Sequence, residues 1–271
     1  MKRFLFAALA VLTLFALAGC NAKPLEPETP DTADYCLADE DVPLDERALS
    51  RAVPDFLDAR QQTLYRQAAA LYDAMFGGET TGIDYKFPAP DALLDAYSTY
   101  TPDGSDYTYI SSDCRWQSWA DFDRVVHGVF TDRLWAGLNE TDLDGSPSVY
   151  IEHDGQLYIL DCSYGGQYYN NAFPDEFTLV EQTDERIDFT VTAHYSYPYP
   201  REGESYEERD ERLRTSCEFT LTFPVVLLRT DAGWRFDVFC TGIGAEMHCP
   251  DAVFAGVTEE AFYGGTYATG A

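Results

Sequence analysis

Basic residues are scarce in this chain. Its 271 residues include 18 Lys and Arg against 47 Asp and Glu, a formal net charge of −29. A surface that neutralises a phosphate backbone needs clustered cations, so a nucleic-acid binder is excluded. Adsorption to an anionic membrane through a basic patch is excluded for the same reason. Sequence motifs for chemistry are lacking too. There is no G-x-x-x-x-G-K-[ST], H-E-x-x-H, G-x-S-x-G or S-x-x-K, and no C-x-x-C pair to begin a zinc site. No motif points to a cofactor. No apolar run reaches the ~20 residues of a spanning helix, and no internal repeat is visible. What is abundant is core material: 45% hydrophobic and 24% charged residues exclude a disordered or collagen-like chain.

The longest apolar run, Phe4–Leu17, follows Lys2 and Arg3 and ends in Leu17-Ala18-Gly19-Cys20. This is the layout of a signal peptide over residues 1–19. Its end resembles the lipobox of bacterial lipoproteins. That resemblance implies cleavage before Cys20 and acylation of its sulfur, hence an extracytoplasmic protein anchored to the membrane through its N-terminal lipid alone. Each buried CH₂ contributes ~0.8 kcal/mol, so two or three acyl chains hold durably. Residues 20–43, with Pro24, Pro27, Pro30 and Pro43 among acids, read as a tether.

Beyond Cys20 remain Cys36, Cys114, Cys162, Cys217, Cys240 and Cys249. An even number in an oxidising compartment predicts three disulfides, with fifteen possible connectivities. The working expectation pairs Cys114 with Cys162 and leaves Cys36, Cys217, Cys240 and Cys249 to share two more bridges.

A single α+β domain is expected over 44–250, helical in 44–140 and antiparallel β in 148–241, with residues 251–271 a loosely held tail. Pro54-Asp55 is expected to open a helix whose Leu57, Leu64, Ala68, Leu71 and Met75 share one face, closed by Gly77-Gly78. A short helix precedes it over 45–52. A short strand is expected at Tyr107–Ile110; Ser118 and Asp121 then cap a helix over 119–129, and Thr131 caps another through Leu138. In the second half, Asp154-Gly155 between β-formers marks a hairpin over 149–160. Alternation over Ile187–Tyr197, Cys217–Val225 and Trp234–Cys240 marks further strands with one buried face. Helices then hairpins place N-terminal helices on one face of a curved antiparallel sheet. The charged insert 198–214 is expected to form a short exposed helix, with Glu208–Arg212 and Asp210–Arg214 pairs at i,i+4.

Candidate chemistry is thin. Glu140, Asp142, Asp144 and Gly145 suggest a calcium loop, but Ile151 stands where the bidentate Glu belongs, so a turn is the better reading. His127, His153, His194 and His248 share no spacing. Most of the 19 Tyr and 17 Phe are assigned to the core.

One extended series does stand out. Ala70–Gly78, Asp106–Tyr109, Trp119–Phe122, Phe130–Leu134, Tyr150–Tyr158, the loop Asp161–Gly166, Leu179–Asp184 and Gly233–Phe236 follow one another in an order and spacing that resembles the IseA-type inhibitors of bacterial cell-wall DL-endopeptidases. The likeness spans roughly 55–240. It implies a cystatin-like sheet and a monomer that binds a wall endopeptidase sterically, without catalysis of its own. The six cysteines, the insert and the acidity depart from what the family leads one to expect. Candidate partner contacts are Asp161, Ser163, Tyr164, Gly165 and Gly166, because a glycine-bearing loop approaches another backbone closely. Asp113 and Trp116 lie beside them if Cys114 bridges Cys162. Two rival readings are a cystatin-like lipoprotein binding a small molecule or glycan, and a wall hydrolase using a cysteine and a histidine.

Overall fold

Five helices and nine strands are seen in a computed structural model that describes residues 42, 44, 46–76, 98–104, 107–111, 116, 118–140, 148–160, 168–243, 249 and 251–258. The helices are α1 (Glu46–Ser50), α2 (Ala59–Phe76), α3 (Trp119–Val129), α4 (Asp132–Asn139) and α5 (Tyr206–Thr215). The strands are β1 (Thr99–Tyr100), β2 (Tyr109–Ser111), β3 (Tyr150–His153), β4 (Gln156–Leu160), β5 (Glu176–Gln182), β6 (Arg186–Tyr195), β7 (Phe219–Thr230), β8 (Gly233–Val238) and β9 (Val253–Ala255). The class is α+β, with the longer helices N-terminal to most of the antiparallel strands.

The long helix starts later than Pro54 suggests. Pro54–Leu57 forms a turn of its own. Asp58 Oδ1 then accepts the Gln61 amide at 2.9 Å while Gln61 Oε1 accepts the Asp58 amide at 3.0 Å. This reciprocal cap satisfies two otherwise orphaned donors and fixes α2 at Ala59. Two further caps fall where the sequence predicts them. Ser118 Oγ accepts from Asp121 N to open α3, and Thr131 Oγ1 accepts from Leu134 N to open α4.

The strands form two sheets where one was expected. One runs β1-β2-β4-β3, the other β5-β6-β7-β8 with β9 also on β7. β1 lies within the half read as helical, while β2 overlaps the short strand expected at Tyr107–Ile110 and pairs with β4. In the larger sheet the alternation holds: Ile187, Phe189, Val191, Ala193 and Tyr195 face inward from β6, and Phe219, Leu221, Phe223, Val225 and Leu227 from β7. These side chains share a core with Leu64, Tyr65, Ala68, Leu71, Tyr72 and Met75 of α2. Pro224 falls between the part of β7 paired with β9 (Thr220–Thr222) and the part paired with β8 (Val226–Thr230). Its missing N–H therefore breaks no ladder on that side. β4 behaves differently. Leu157–Leu160 are all buried, with Leu157 and Ile159 in the main core and Tyr158 and Leu160 in a small cluster with Tyr109.

The β3–β4 hairpin turns as its sequence demands, Asp154 and Gly155 both having positive φ, 54° and 78°. The tail over 251–271, expected to be loosely held, is fixed at its start, because β9 (Val253–Ala255) joins β7.

A tyrosine rim and a buried polar corner

Asp113, Cys114, Asp161, Cys162, Ser163, Tyr164, Gly165 and Gly166 lie outside the described residues, as do Cys20, Cys36, His248 and the calcium-like Asp142, Asp144 and Gly145. Trp116 is described, and it is only 2% exposed. Its indole packs on Phe122, with ring centroids 5.9 Å apart, so it serves the core rather than facing a partner.

The flanks of the 161–167 segment are built firmly. Upstream, Leu160 N donates to Val149 O at 2.8 Å, which ends β4 against the hairpin. Downstream, Ser196 N donates to Tyr168 O at 2.9 Å and Asn170 N to His194 O at 2.7 Å. The side-chain amide of Asn170 donates to Ser196 Oγ and to Leu213 O, tying this stretch to β6 and α5 together. A ladder of tyrosines follows. Tyr168 stacks on Tyr197, and Tyr197 meets Tyr199 edge-on at 5.4 Å. Tyr199 is 55% exposed and Tyr206 69%. Arg209 lies over the Tyr206 ring and donates to Pro198 O.

The insert is anchored beside this rim. Ser205 and Glu208 form a capping box that opens α5. The ion pairs differ from the i,i+4 expectation. Arg212 bonds Glu204 and Glu218 and the carbonyls of Tyr197 and Tyr199, while Arg214 bonds Glu211. The side-chain hydrogen bond from Arg212 pulls the Glu204 carboxyl down to about 2. Glu208 is engaged instead by Ser205, whose hydrogen bonds lower its pKa.

A second constellation was not visible in the sequence. Arg51 pairs with Asp73 Oδ2, and Thr241 Oγ1 donates to Asp73 Oδ1 at 2.6 Å. The Tyr169 hydroxyl donates to Asp175 Oδ1 at 3.2 Å. Asp73 and Asp175 are both buried. Burial drives the Asp175 carboxyl up to about 6, against the pull of Arg51 and of the Tyr169 hydrogen bond. Burial works against the Arg51 charge, yet Asp73 and the neighbouring acids lift its pKa above the ordinary value. The cluster joins four chain segments: the end of α1, the α2 helix, the 169–175 turn and the residues after β8. Next to it, Tyr195 OH donates to Gly242 O at 2.7 Å. A Cβ on Gly242 would stand 2.3 Å from the Tyr169 ring, so this close approach requires glycine.

Cys217, Cys240 and Cys249 stand as thiols. Cys217 Sγ is directed at the Phe219 carbonyl, 3.1 Å away. Cys240 lies beside Tyr72 OH, and Cys240 and Cys249 hydrogen-bond each other. The three described histidines each meet their own acid: His127 with Asp123 and Asp132, His153 with Asp154, and His194 with Glu176. His153, placed at a turn, is stacked on Tyr100 at 3.7 Å rather than freely solvated. Among the described residues no cysteine meets a histidine.

No protein-family model matches the chain, and no curated protein matches it in sequence. No helix among the described residues is long and apolar enough to cross a membrane.

Proposed function

We propose that this chain is an extracytoplasmic lipoprotein, acylated on Cys20, whose folded part binds a cell-wall DL-endopeptidase and blocks its cleft sterically. The observation that carries this reading is the anchoring of both ends of the 161–167 segment, on the hairpin at Leu160 and on β6 at Tyr168–Asn170. A segment whose ends are held loses less freedom on entering a cleft. Asp161, Ser163, Tyr164, Gly165 and Gly166 would enter, and the exposed Tyr199 and Tyr206 would add contacts of their own. Tyrosines of this kind are favoured anchors at interfaces. The negative charge would speed encounter with a basic enzyme more than it would tighten the complex. A cystatin-like curvature of the β5–β8 sheet around α2 belongs to the same proposal, as does action as a monomer without cofactor or catalytic centre.

The tyrosine ladder also favours a second reading, a lipoprotein that stacks a glycan or small molecule on Tyr197 and Tyr199. The hydrolase reading is disfavoured by the separation of the described thiols from the described imidazoles.

The deciding experiment mixes the ectodomain, begun after Cys20, with a panel of DL-endopeptidases acting on muropeptides. Slowed cleavage is expected, weakened in Tyr164→Ala and Tyr199→Ala. Unchanged rates with every enzyme at micromolar protein would end the inhibitor reading. Chemical-shift changes at the tyrosines on adding wall glycan fragments would then move the case to the second. Anchoring is read separately, by fatty-acid labelling that Cys20→Ser should abolish.

A further inference from the structure

Two thiols that the inhibitor reading leaves unused meet at the edge of the core. Cys240 is 2% exposed and follows β8, with its sulfur 3.4 Å from the Tyr72 hydroxyl. Cys249 packs on the same core and precedes β9, its carbonyl accepting from Ala252 N at 3.1 Å. β8 and β9 are both hydrogen-bonded to β7, so the two cysteines are delivered to one place by strands of one sheet. The thiols are in hydrogen-bond contact. We propose that Cys240 and Cys249 form a disulfide that closes the eight-residue segment between them and clamps the polar corner.

The corner supplies the reason. Cys240 meets Tyr72 while the next residue, Thr241, donates to Asp73, the residue after Tyr72. Gly242 then receives the Tyr195 hydroxyl. A bridge at Cys240 fixes the start of this run, and β9 fixes Cys249. The reaction needs a disulfide oxidant, either glutathione disulfide or a thiol–disulfide oxidoreductase. The Cys249 thiolate, favoured by the Cys240 hydrogen bond, attacks one oxidant sulfur and expels one thiolate. Cys240, once deprotonated, attacks the Cys249 sulfur of the mixed disulfide and expels the oxidant's second sulfur as thiolate. The two protein thiols lose two protons and two electrons, and the oxidant is reduced to two thiols. The pairing leaves Cys36, Cys114, Cys162 and Cys217 to pair among themselves, with three connectivities in place of fifteen.

The proposal takes from the proposed function only its oxidising compartment. The test therefore supplies the oxidant itself. Reduced full-length ectodomain is refolded in a glutathione redox buffer, quenched in acid, alkylated and cleaved with cyanogen bromide. Met247 lies between the two cysteines and Arg235 between Cys217 and Cys240, so a further digestion with trypsin leaves Cys240 in 236–247 and Cys249 in 248–271, two peptides that stay joined to each other only if these two cysteines are bridged. The expected product is a pair of fragments that stays joined until reduction, with neither cysteine alkylated. Alkylation of both residues at the most oxidising ratio would overturn the proposal. So would capture of either one in a bridge to Cys36, Cys114, Cys162 or Cys217. Failure of export or lipidation in the cell would leave this result unchanged.

Discussion

Helix α2 packs on two unlike surfaces. Around Tyr65 it meets a set of rings, Phe177, Phe189, Phe236 and Phe239, all with centroids within 6.3 Å, while the Tyr65 hydroxyl is felt by the corner's Asp175 and Arg51. Two turns later, at Tyr72 and Asp73, it meets Cys240, Thr241 and Arg51. The first surface draws its strength from apolar area removed from water, and it depends on shape more than on any one partner. The second gains little from area. Its charges are worth keeping buried only while each has its partner, so it specifies which segments meet rather than how tightly they adhere. The contrast is open to experiment: cavities should dominate the ring seam, and unpaired charge should dominate the corner.

The largest loss is expected at the seam. Phe189→Ala removes a ring that is 1% exposed and touches Phe56, Tyr65 and Phe177. It should lower the unfolding free energy by about 3–5 kcal/mol in urea titration. A loss under about 1 kcal/mol would mean that the seam collapses around the gap and is not closely packed.

At the corner, Asp73→Ala should cost about 3 kcal/mol, the low end for a broken buried pair, because the Arg51 side chain keeps 18% of its exposure. The double variant Arg51→Met, Asp73→Leu should recover most of that loss. A double variant as weak as the single one would show that the carboxylate matters for its bond from Thr241 and not for its charge. Gly242→Ala comes next. The added methyl meets Cδ2 and Cε2 of the Tyr169 ring, whose hydroxyl is tied to Asp175, so the ring moves only at the expense of that bond. A loss of about 1–3 kcal/mol is expected by thermal melting, and Tyr169→Ala should remove the penalty if the clash is its cause.

Asp175 tests the corner by pH. The native carboxyl holds its proton to about pH 6, whereas the unfolded one releases it near 4. Between those values the native state binds more protons, so stability falls as pH rises and the loss is complete above about 6. Asp175→Asn removes the titration while keeping an oxygen that accepts from Tyr169. Its urea midpoint should lie above the parent's at pH 7.5, by the equivalent of about 2 kcal/mol, and should approach the parent's at pH 4. An equal offset at both pH values would mean that burial of the charge is not what separates the two proteins.

The seam was legible in the sequence and the corner was not, for one physical reason. Strand alternation from Ile187 to Tyr195 and the stripe Leu64, Ala68, Leu71, Met75 report burial directly, since apolar periodicity is the pattern that burial selects. Caps at Ser118 and Thr131 were legible because they are local. The corner joins Arg51, Asp73, Tyr169, Asp175 and Thr241 across the length of the chain, and no spacing encodes that. One signal was present. The run Gln67–Met75 is apolar nearly all round, which marks a helix buried on several faces, and an acid inside such a run needs a cation. The strand expected at Tyr107–Ile110 overlaps β2, but β1 and the separate β1-β2-β4-β3 sheet were missed, because strands of two and three residues are too short to show alternation or pairing. At the candidate rim, the Asp-Gly turn of the hairpin that leads to it was readable. The Tyr168–Tyr197 stack was not, because it forms between segments 29 positions apart, and so was the burial of Trp116 against Phe122.

The smallest effects belong to α5, where helical spacing alone misassigned the ion pairs. Spacing treats Arg212 and Arg214 as equals, each four residues from an acid. In the fold Arg212 is 10% exposed and reaches two carboxylates and two carbonyls, whereas Arg214 is 67% exposed and, among the described residues, pairs with Glu211 alone. An exposed pair of that kind is worth ~0–1 kcal/mol, so Arg214→Ala should shift the melting midpoint barely beyond error and Arg212→Ala should shift it clearly. Added salt should erase the first difference and leave much of the second, because the carbonyl contacts of Arg212 also hold Tyr197 and Tyr199 in place. If Arg212→Ala also weakens endopeptidase inhibition while Arg214→Ala does not, the insert acts as the brace of the tyrosine rim. Equal melting midpoints for the two variants would reduce α5 to a solvated excursion with no hold on the surface beside it.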